Sequence, residues 1–403
     1  MKQIFKDIVH SLKSIAFLPR WWAQKYQKRD PYLWTFDAWQ GQRYSDNPRA
    51  LYEYVLENVP QIQCYWLTRS QLVYDRLKKA NKPVALINSK EGIDIQKKSD
   101  VFFATHGNMN NISEGDIRYM NGIHYVNLWH GAPLKMIGDD EWLFKQKNTP
   151  YKRFKTWCRK RIMPWEFLSG TMLCDSSFFL PFMQSAFGRS YKNMMVLPEP
   201  RLDKLFLPEK ESFILSLNQR FNNPTKVLYM PTFRDMKFGV FNPFTQAGFA
   251  PKSFSAMLEE HNIVLLYKGH FLDSHADSIK GCERIITVSD ADYDDLYTFI
   301  KDVDVLITDY SSIYFDFICL RKPIILFPFD LKDYMAHSRP FYFDYNLMQA
   351  RRVFSWKELA ECLANKDYCP PTEEEIRLFR PIPAEHCCEN IVHELQKELA
   401  LSL

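Results

Sequence analysis

The chain has 403 residues and a mass of 47.9 kDa, which suits two domains at about 100–200 residues each. Its composition of 46% hydrophobic, 25% charged and 15% aromatic residues is that of a globular protein with real cores, and excludes disordered, collagen-like and mini-protein classes. The formal net charge is only +4, yet the charge is unevenly placed.

From Met1 to Arg29 the sequence carries Lys2, Lys6, Lys13, Arg20, Lys25, Lys28 and Arg29 against Asp7 alone. Ile4, Phe5, Ile8, Val9, Leu12, Ile15 and Ala16 recur between them at helical spacing and predict one apolar face. A basic amphipathic helix followed by Trp21 and Trp22 suits an anionic bilayer surface. The alternative is a helix packed on the body of the protein.

Short apolar runs alternating with helical segments come next: Cys64–Leu67, Val84–Ile87, Val101–Ala104 and His124–Leu128. A second basic stretch interrupts them at Phe144–Trp165, where Lys145, Lys147, Lys152, Arg153, Lys155, Arg159, Lys160 and Arg161 meet no acid. Phe144, Tyr151, Phe154, Trp157 and Trp165 are interleaved there. Basic and aromatic surfaces also suit nucleic acid, but no nucleic-acid-binding motif accompanies these, so a membrane surface is the expected partner.

The runs resume at Met172–Cys174, Met194–Leu197, Val227–Met230, Ile263–Tyr267, Ile285–Val288, Val303–Ile307 and Ile324–Phe327. Continuous apolar strands alternating with helices predict parallel sheets covered on both faces. Pro198, Pro200 and Pro208 punctuate a polar break. The predicted organisation is a membrane-association segment at 1–30, a Rossmann-like domain at 31–200 that includes the basic insert 144–165, and a second Rossmann-like domain at 201–403. Together they form an α/β protein with two doubly wound domains facing a cleft.

No apolar run approaches the ~18 residues a spanning helix needs. The N-terminus lacks a continuous apolar stretch and cleavage site, which argues against a signal peptide. Nine scattered cysteines read as reduced thiols of a cytoplasmic protein. His386, Cys387, Cys388 and His393 are poorly spaced for tetrahedral zinc, so no metal site is expected. No cofactor is required; a divalent cation is compatible with the chemistry, but no ligand motif indicates one.

In doubly wound sheets ligands bind beyond the carboxyl ends of the strands. His130, in Trp129-His130-Gly131-Ala132-Pro133-Leu134-Lys135, stands there as a general base or as a core or capping histidine. In Pro231-Thr232-Phe233-Arg234-Asp235, Arg234 either forks onto phosphate oxygens or pairs with Asp235. Lys268-Gly269-His270 suggests a polyphosphate clamp. Ser311 and Ser312 either cap a helix or hold phosphate at its start. Asp309 and Asp316 are structural, or meet a ribose or the acceptor. Arg201, in Pro198-Glu199-Pro200-Arg201-Leu202-Asp203, lies at the domain junction. No Walker loop, G-x-G-x-x-G or nucleophile elbow is present, so transfer from a diphosphate donor is the chemistry suggested.

With these residues assembled, the chain resembles the CDP-glycerol glycerophosphotransferase family, which includes teichoic acid primases and polymerases and related capsule enzymes. The resemblance rests on Asn127–Lys135, Leu197–Asp203, Tyr229–Asp235, Tyr267–Phe271, Asp304–Phe317 and Pro323–Asp344, about half the chain in order. It implies a GT-B arrangement and transfer of glycerol phosphate from CDP-glycerol to a hydroxyl of a glycolipid or polymer acceptor, releasing CMP. It also implies peripheral attachment at the cytoplasmic face of the bacterial cell membrane. By the same resemblance His130 is the base, while His270, Lys268 and Arg234 hold the donor diphosphate. Thr232, Ser311, Ser312, Asp309 and Asp316 complete the CDP-glycerol site, and Lys135 and Arg201 belong to the acceptor side or the junction.

Departures are Ala132 where Thr is usual, Phe271 where Pro is usual, and His337-Ser338-Arg339-Pro340 where a glycine is usual. The short chain favours adding one or a few units. The alternatives are a related transferase using CDP-ribitol or a nucleotide sugar, or a non-catalytic membrane-associated nucleotide-binding protein.

Overall fold

The computed structural model describes residues 2–105, 119–141, 149–164, 169–188, 190–208, 211–232, 234, 242–269, 278–289, 292–293 and 295–401, with side chains from 12 onward except 152 and 155. They form two compact units: residues 1–130, 137–203 and 386–403, and residues 131–136 and 204–385. The expected single change of domain near residue 200 is thus joined by three others, at 130/131, 136/137 and 385/386. The segment 131–136 belongs with the second unit, and the last helix returns to the first.

The first unit is built on a parallel seven-stranded sheet of β1 (Asp30–Phe36), β2 (Gln63–Thr68), β3 (Val84–Leu86), β4 (Ser99–Ala104), β5 (His124–Asn127), β6 (Thr171–Cys174) and β7 (Asn193–Val196), in the order β3-β2-β1-β4-β5-β6-β7. Six of these strands coincide with the apolar runs of the sequence. The seventh, β1, does not, although it is central: Trp34 pairs with Cys64 of β2 and with Val101 of β4. Its sequence opens on Asp30-Pro31 and alternates aromatic with other residues, so it does not read as a continuous aliphatic run. Trp34 and Phe36 nonetheless enter the core beside Trp66 and Phe103.

The C-terminal helix Cys387–Leu399 sends Cys388, Ile391, Val392 and Leu395 into that same core. Its first N–H groups have no partner within the helix. The Asp203 carboxylate supplies one, accepting from Cys387 N at 2.6 Å and Cys388 N at 2.8 Å. A negative charge also complements the positive end of the helix dipole. One aspartate therefore ties the end of the chain to the segment that leaves the first unit.

The helix Lys2–Gln24 is present, and from Leu12 onward its faces differ from the expected arrangement. Ser14, Phe17, Trp21 and Gln24 are buried, with Phe17 edge-on to Tyr119 at 5.3 Å. Asn121 Nδ2 donates to Trp21 O at 2.8 Å. Leu12, Ile15 and Trp22 lie exposed on other sides of the helix. The tryptophan pair is divided between core and surface. Arg29 is a correction to the basic segment: its guanidinium donates to the carbonyls of Gln96, Lys97, Ser99, Tyr119 and Asn121. That cation is spent on the fold.

The second unit repeats the plan with β8 (Thr225–Tyr229), β9 (Ile263–Tyr267), β10 (Ile285–Thr287), β11 (Val305–Thr308), β12 (Ile324–Leu326) and β13 (Arg351–Arg352), all parallel in the order β10-β9-β8-β11-β12-β13. Its core gathers Tyr229, Phe244, Tyr267, Phe327 and Trp356. In both sheets the strand order reverses beside the first strand, between β1 and β4 and between β8 and β11. Ligands in such folds bind outside the strand ends at that reversal.

Removing the Asp203 carboxylate should free the start of the last helix. Asp203→Ala is expected to cost about 1–2 kcal/mol in urea unfolding and to speed amide exchange at Cys387 and Cys388. Unchanged exchange there would refute the capping role.

Candidate active site

At the reversal point of the first unit three strand ends meet. Past β1, Trp39 N donates to Thr105 Oγ1 at 2.9 Å, just beyond β4. Past β5, His130 Nδ1 lies 3.1 Å from Thr105 O. A carbonyl only accepts, so Nδ1 carries the proton and the lone pair of the neutral ring sits on Nε2. Trp129 and Trp39 flank the imidazole at centroid distances of 4.1 Å and 5.8 Å.

The loop carrying His130 is held from behind. Asn47 Nδ2 donates to Leu128 O at 3.0 Å and Trp129 O at 3.1 Å, and Asn47 Oδ1 accepts from Arg201 N at 3.2 Å. The Arg201 guanidinium is buried between Asp46 Oδ1 at 2.6 Å and Glu199 Oε2 at 2.7 Å. Trp39, Gln40, Asp46 and Trp129 all adopt left-handed backbone, at φ 52°, 58°, 68° and 54°. Each costs roughly 1–3 kcal/mol and persists only where surrounding contacts enforce it. The Asn47 and Arg201 bonds are such contacts.

Burial lowers the His130 pKa below its ordinary 6.5, Asp46 and the Thr105 carbonyl oppose this, and Arg201 adds to it. The ring is therefore neutral at neutral pH, while Asp46 supports a proton once it arrives. Asp37, one residue past β1, is buried and pushed up to about 7 by desolvation, against the pull of Arg69.

The corresponding point of the second unit centres on Arg234. Its Nε and Nη2 fork onto the Asp330 carboxylate at 2.9 Å each, Nη2 reaches Asp309 Oδ2 at 2.7 Å, and Nη1 reaches Thr232 O at 2.6 Å. Tyr310 and Tyr334 cover it, with ring centroids 5.1 Å and 5.0 Å away. Burial would lower its pKa, but Asp309 and Asp330 outweigh this and raise it. Asp309 is fully buried and also accepts from Thr232 N at 2.8 Å and Tyr310 N at 2.5 Å. The Thr232 hydroxyl has no partner among the described residues.

The sequence-predicted residues fall into three groups. Thr232, Arg234 and Asp309 are brought together, and Lys268 N donates to Tyr229 O at 2.9 Å beside them, its ammonium 5.0 Å from the Tyr293 ring. Lys135 belongs to the same unit: burial and Arg339 depress its pKa to about 7, with Asp309 opposing and Arg234 reinforcing. Ser311 and Ser312 are half-buried at the start of the short helix Ile313–Phe317, and the Ser312 hydroxyl makes no cap hydrogen bond. His130 and Arg201 share the first unit. His270 lies outside the described residues.

Two expectations change. Asp316 is buried, like the rest of its short helix, and is bonded to Arg380 Nη2 at 3.0 Å and the Tyr297 hydroxyl at 2.7 Å, which makes it a scaffold residue. Arg234 is engaged with Asp309 and Asp330, so it orders the loops rather than offering an open fork; Asp235 lies outside the described residues. Sequence reasoning missed Asp330, Asn47 and Thr105, each distant in sequence from the residue it holds. Among the described residues no group of three or more His, Cys, Asp or Glu side chains is placed to hold a metal.

The sequence model of the CDP-Glycerol:Poly(glycerophosphate) glycerophosphotransferase family matches residues 22–387. The chain is 29% identical over 324 residues to a teichoic acid glycerol-phosphate transferase of Staphylococcus aureus, covering 77% of each. It is 27% identical over 323 residues to a teichoic acid poly(glycerol phosphate) polymerase of Bacillus subtilis, covering 77% of this chain but 40% of that one. The solved structure of the wall teichoic acid polymerase TagF superimposes with a TM-score of 0.69 at 20% identity, over 99% of this chain and 98% of that chain. That last likeness is one of fold, a GT-B pair of α/β domains.

The scaffold and the open residues should separate on substitution. Arg201→Met leaves Asp46 and Glu199 buried without a cation, and is expected to cost about 3–5 kcal/mol in urea unfolding. Ser311→Ala should stay within about 0.5 kcal/mol. An Arg201→Met protein as stable as the unsubstituted chain would contradict the clamp.

Proposed function

The chain belongs to the CDP-glycerol:poly(glycerophosphate) glycerophosphotransferase family, and from that premise we propose that it moves glycerol phosphate from CDP-glycerol to a hydroxyl of a membrane-linked acceptor of teichoic acid or capsule type. In this reading the acceptor hydroxyl gives its proton to His130 Nε2 while its oxygen bonds to the glycerol-side phosphorus. The bond from that phosphorus to the bridging oxygen breaks in line, and CMP leaves with the electron pair. Such transfers depend mainly on positioning and charge stabilisation.

The observation that carries the reading is the fixed tautomer of His130. Thr105 O holds Nδ1–H, Asn47 holds the loop, and Asp46 favours the imidazolium formed on proton transfer. In the second unit the donor would be met by Thr232, Lys268, Ser311 and Ser312, with Asp309 and Arg234 fixing the loops behind them. A buried hydroxyl without a partner is costly, and a ligand oxygen at Thr232 would recover that cost. The reaction so written uses no cofactor, and assays with added magnesium or with EDTA check that.

His130→Ala is expected to lose about 10²–10⁴ in turnover while still binding CDP-glycerol. CMP release at the unsubstituted rate would rule His130 out as base. Because burial lowers its pKa, the acid limb of kcat/KM should fall below 6.5. Stability follows the same sign. An imidazole whose folded pKa is depressed contributes fully above its ordinary 6.5 and loses that contribution as pH falls from there through the lower folded pKa. Parallel incubation with CDP-ribitol, with mass spectrometry counting the units added, tests the donor.

The acceptor side is proposed to work at the cytoplasmic face of the cell membrane, as a peripheral protein. Among the described residues no helix is long and apolar enough to cross a membrane. The helix Pro150–Ile162 exposes Tyr151, Phe154 and Trp157, with Phe154 stacked on Trp157 and Arg161 lying 3.6 Å over the Trp157 ring. Leu12, Ile15 and Trp22 are exposed on the first helix of the same unit. Aromatic and basic groups together suit an anionic interface. Leu12→Glu with Ile15→Glu, or Phe154→Glu with Trp157→Glu, should reduce sedimentation with phosphatidylglycerol vesicles at low salt without shifting the urea midpoint. Undiminished sedimentation of both double variants would remove the membrane reading.

A further inference from the structure

Lys135 and Arg339 lie on segments that the second unit joins backbone to backbone. Lys135 forms an antiparallel bridge with Phe341, Met136 N donates to Pro340 O, and Tyr342 N donates to Leu134 O, both at 2.8 Å. Lys135 is itself a bridge residue and Arg339 lies two residues before its partner Phe341, so the backbone pairing brings together two cations far apart in sequence. Both side chains are half-buried. Among the described residues neither makes a hydrogen bond or ion pair, although each has donors to place.

The acids around them are already committed. Asp309 is bound to Arg234, Thr232 N and Tyr310 N, and Asp330 is forked by Arg234 and accepts from the Tyr310 hydroxyl at 3.0 Å. Tyr334, packed on Tyr310 at 4.2 Å, feels both Arg234 and Arg339. Lys135 therefore faces Arg339 and Arg234 as cations and only a fully buried, already neutralised Asp309 as an anion. Lys135, Arg339 and Arg234 thus set three cations against the two carboxylates of Asp309 and Asp330, and the half-buried cation in excess is unfavourable until an anion joins it.

We propose that Lys135 and Arg339 form an oxyanion subsite that takes a phosphate group of the nucleotide diphosphate donor. A guanidinium suits two phosphate oxygens at once and an ammonium a third. The identity of the phosphate rests on the function proposed above; the subsite itself rests on the cation pair. It also gives Arg234 and the paired carboxylates a role as the frame of the site. An anion between the two cations restores the Lys135 proton that burial and Arg339 displace, so binding near neutral pH takes up protons.

Isothermal titration calorimetry with CDP as probe, at pH 7.5 in two buffers of different ionisation heat, tests this on the full chain. Lys135→Ala and Arg339→Ala, each checked for an unchanged thermal melt, should weaken CDP by about 10- to 100-fold, as loss of a charge-assisted hydrogen bond implies. Lys135→Arg should keep affinity within about threefold and abolish proton uptake, because arginine stays charged. Unaltered CDP affinity in both alanine variants, or no binding of CDP to the unsubstituted chain, overturns the subsite. Proton uptake that persists in Lys135→Arg overturns the part assigned to that amine. CDP-glycerol turnover with CDP affinity indifferent to both alanine changes overturns the subsite alone. Weakened CDP binding in a chain that never consumes CDP-glycerol upholds the subsite and overturns the proposed function.

Discussion

Loops beyond the carboxyl ends of parallel strands leave the sheet's hydrogen-bond ladder within a residue or two, so the rest of their backbone must be held by something else. In each unit of this protein an arginine set between two carboxylates performs that task. Arg201 lies between Asp46 and Glu199, and Arg234 lies between Asp309 and Asp330. Each arrangement carries two acids for one cation, which suits a guanidinium that must stay charged while buried. Each also reaches backbone: Arg201 through Asn47 to the carbonyls before His130, and Arg234 through Thr232 and Asp309 to the turns after β8 and β11. Buried ion pairs are weak sources of net stability. Their value here is placement, because the left-handed residues around His130 would relax without them.

This division separates residues that hold from residues that are offered. Arg201, Arg234, Asp309 and Asp316 have their charges satisfied within the chain. Lys135, Arg339 and the hydroxyls of Thr232 and Ser312 do not, or lack the capping role first expected of them. A phosphate-transferring site needs its cations uncommitted before the ligand arrives, since a guanidinium already forked by a carboxylate must break that bond first. Charge type alone does not reveal which cations are available; burial and partners do.

The asymmetry explains what could be read from the sequence. Aliphatic strands such as Ile263–Tyr267 and Ile324–Leu326 are legible because both faces are buried, which leaves a continuous apolar signature. β1 was illegible because Pro31, Tyr32, Trp34 and Thr35 dilute that signature, and its loss hid Asp37 and Trp39 at the reversal point. Arg29 read as one more cation of a basic segment, since nothing local shows that five carbonyls from residues 96–121 converge on it. The site motifs were legible as clusters at strand ends. The partners within them were not: Asp330 is 96 residues from Arg234 and Arg201 is 155 from Asp46, and such pairings are set by strand order.

The same reasoning bears on the surface charge. Cations with buried guanidinium groups, such as Arg29, Arg201, Arg234 and Arg380, lie among backbone carbonyls or carboxylates, as desolvation demands. The described cations of the helix Pro150–Ile162 remain at the surface beside exposed Tyr151, Phe154 and Trp157. Water alone gives no reason to cluster large aromatic rings on an exposed face, since each forfeits roughly 1.5–3 kcal/mol available from burial. The sequence of that helix holds six lysines and arginines and no acid, and such a run adds self-repulsion that an anionic surface would relieve. The apolar and electrostatic penalties thus fall on one helix, and a lipid interface is a single environment that lowers both.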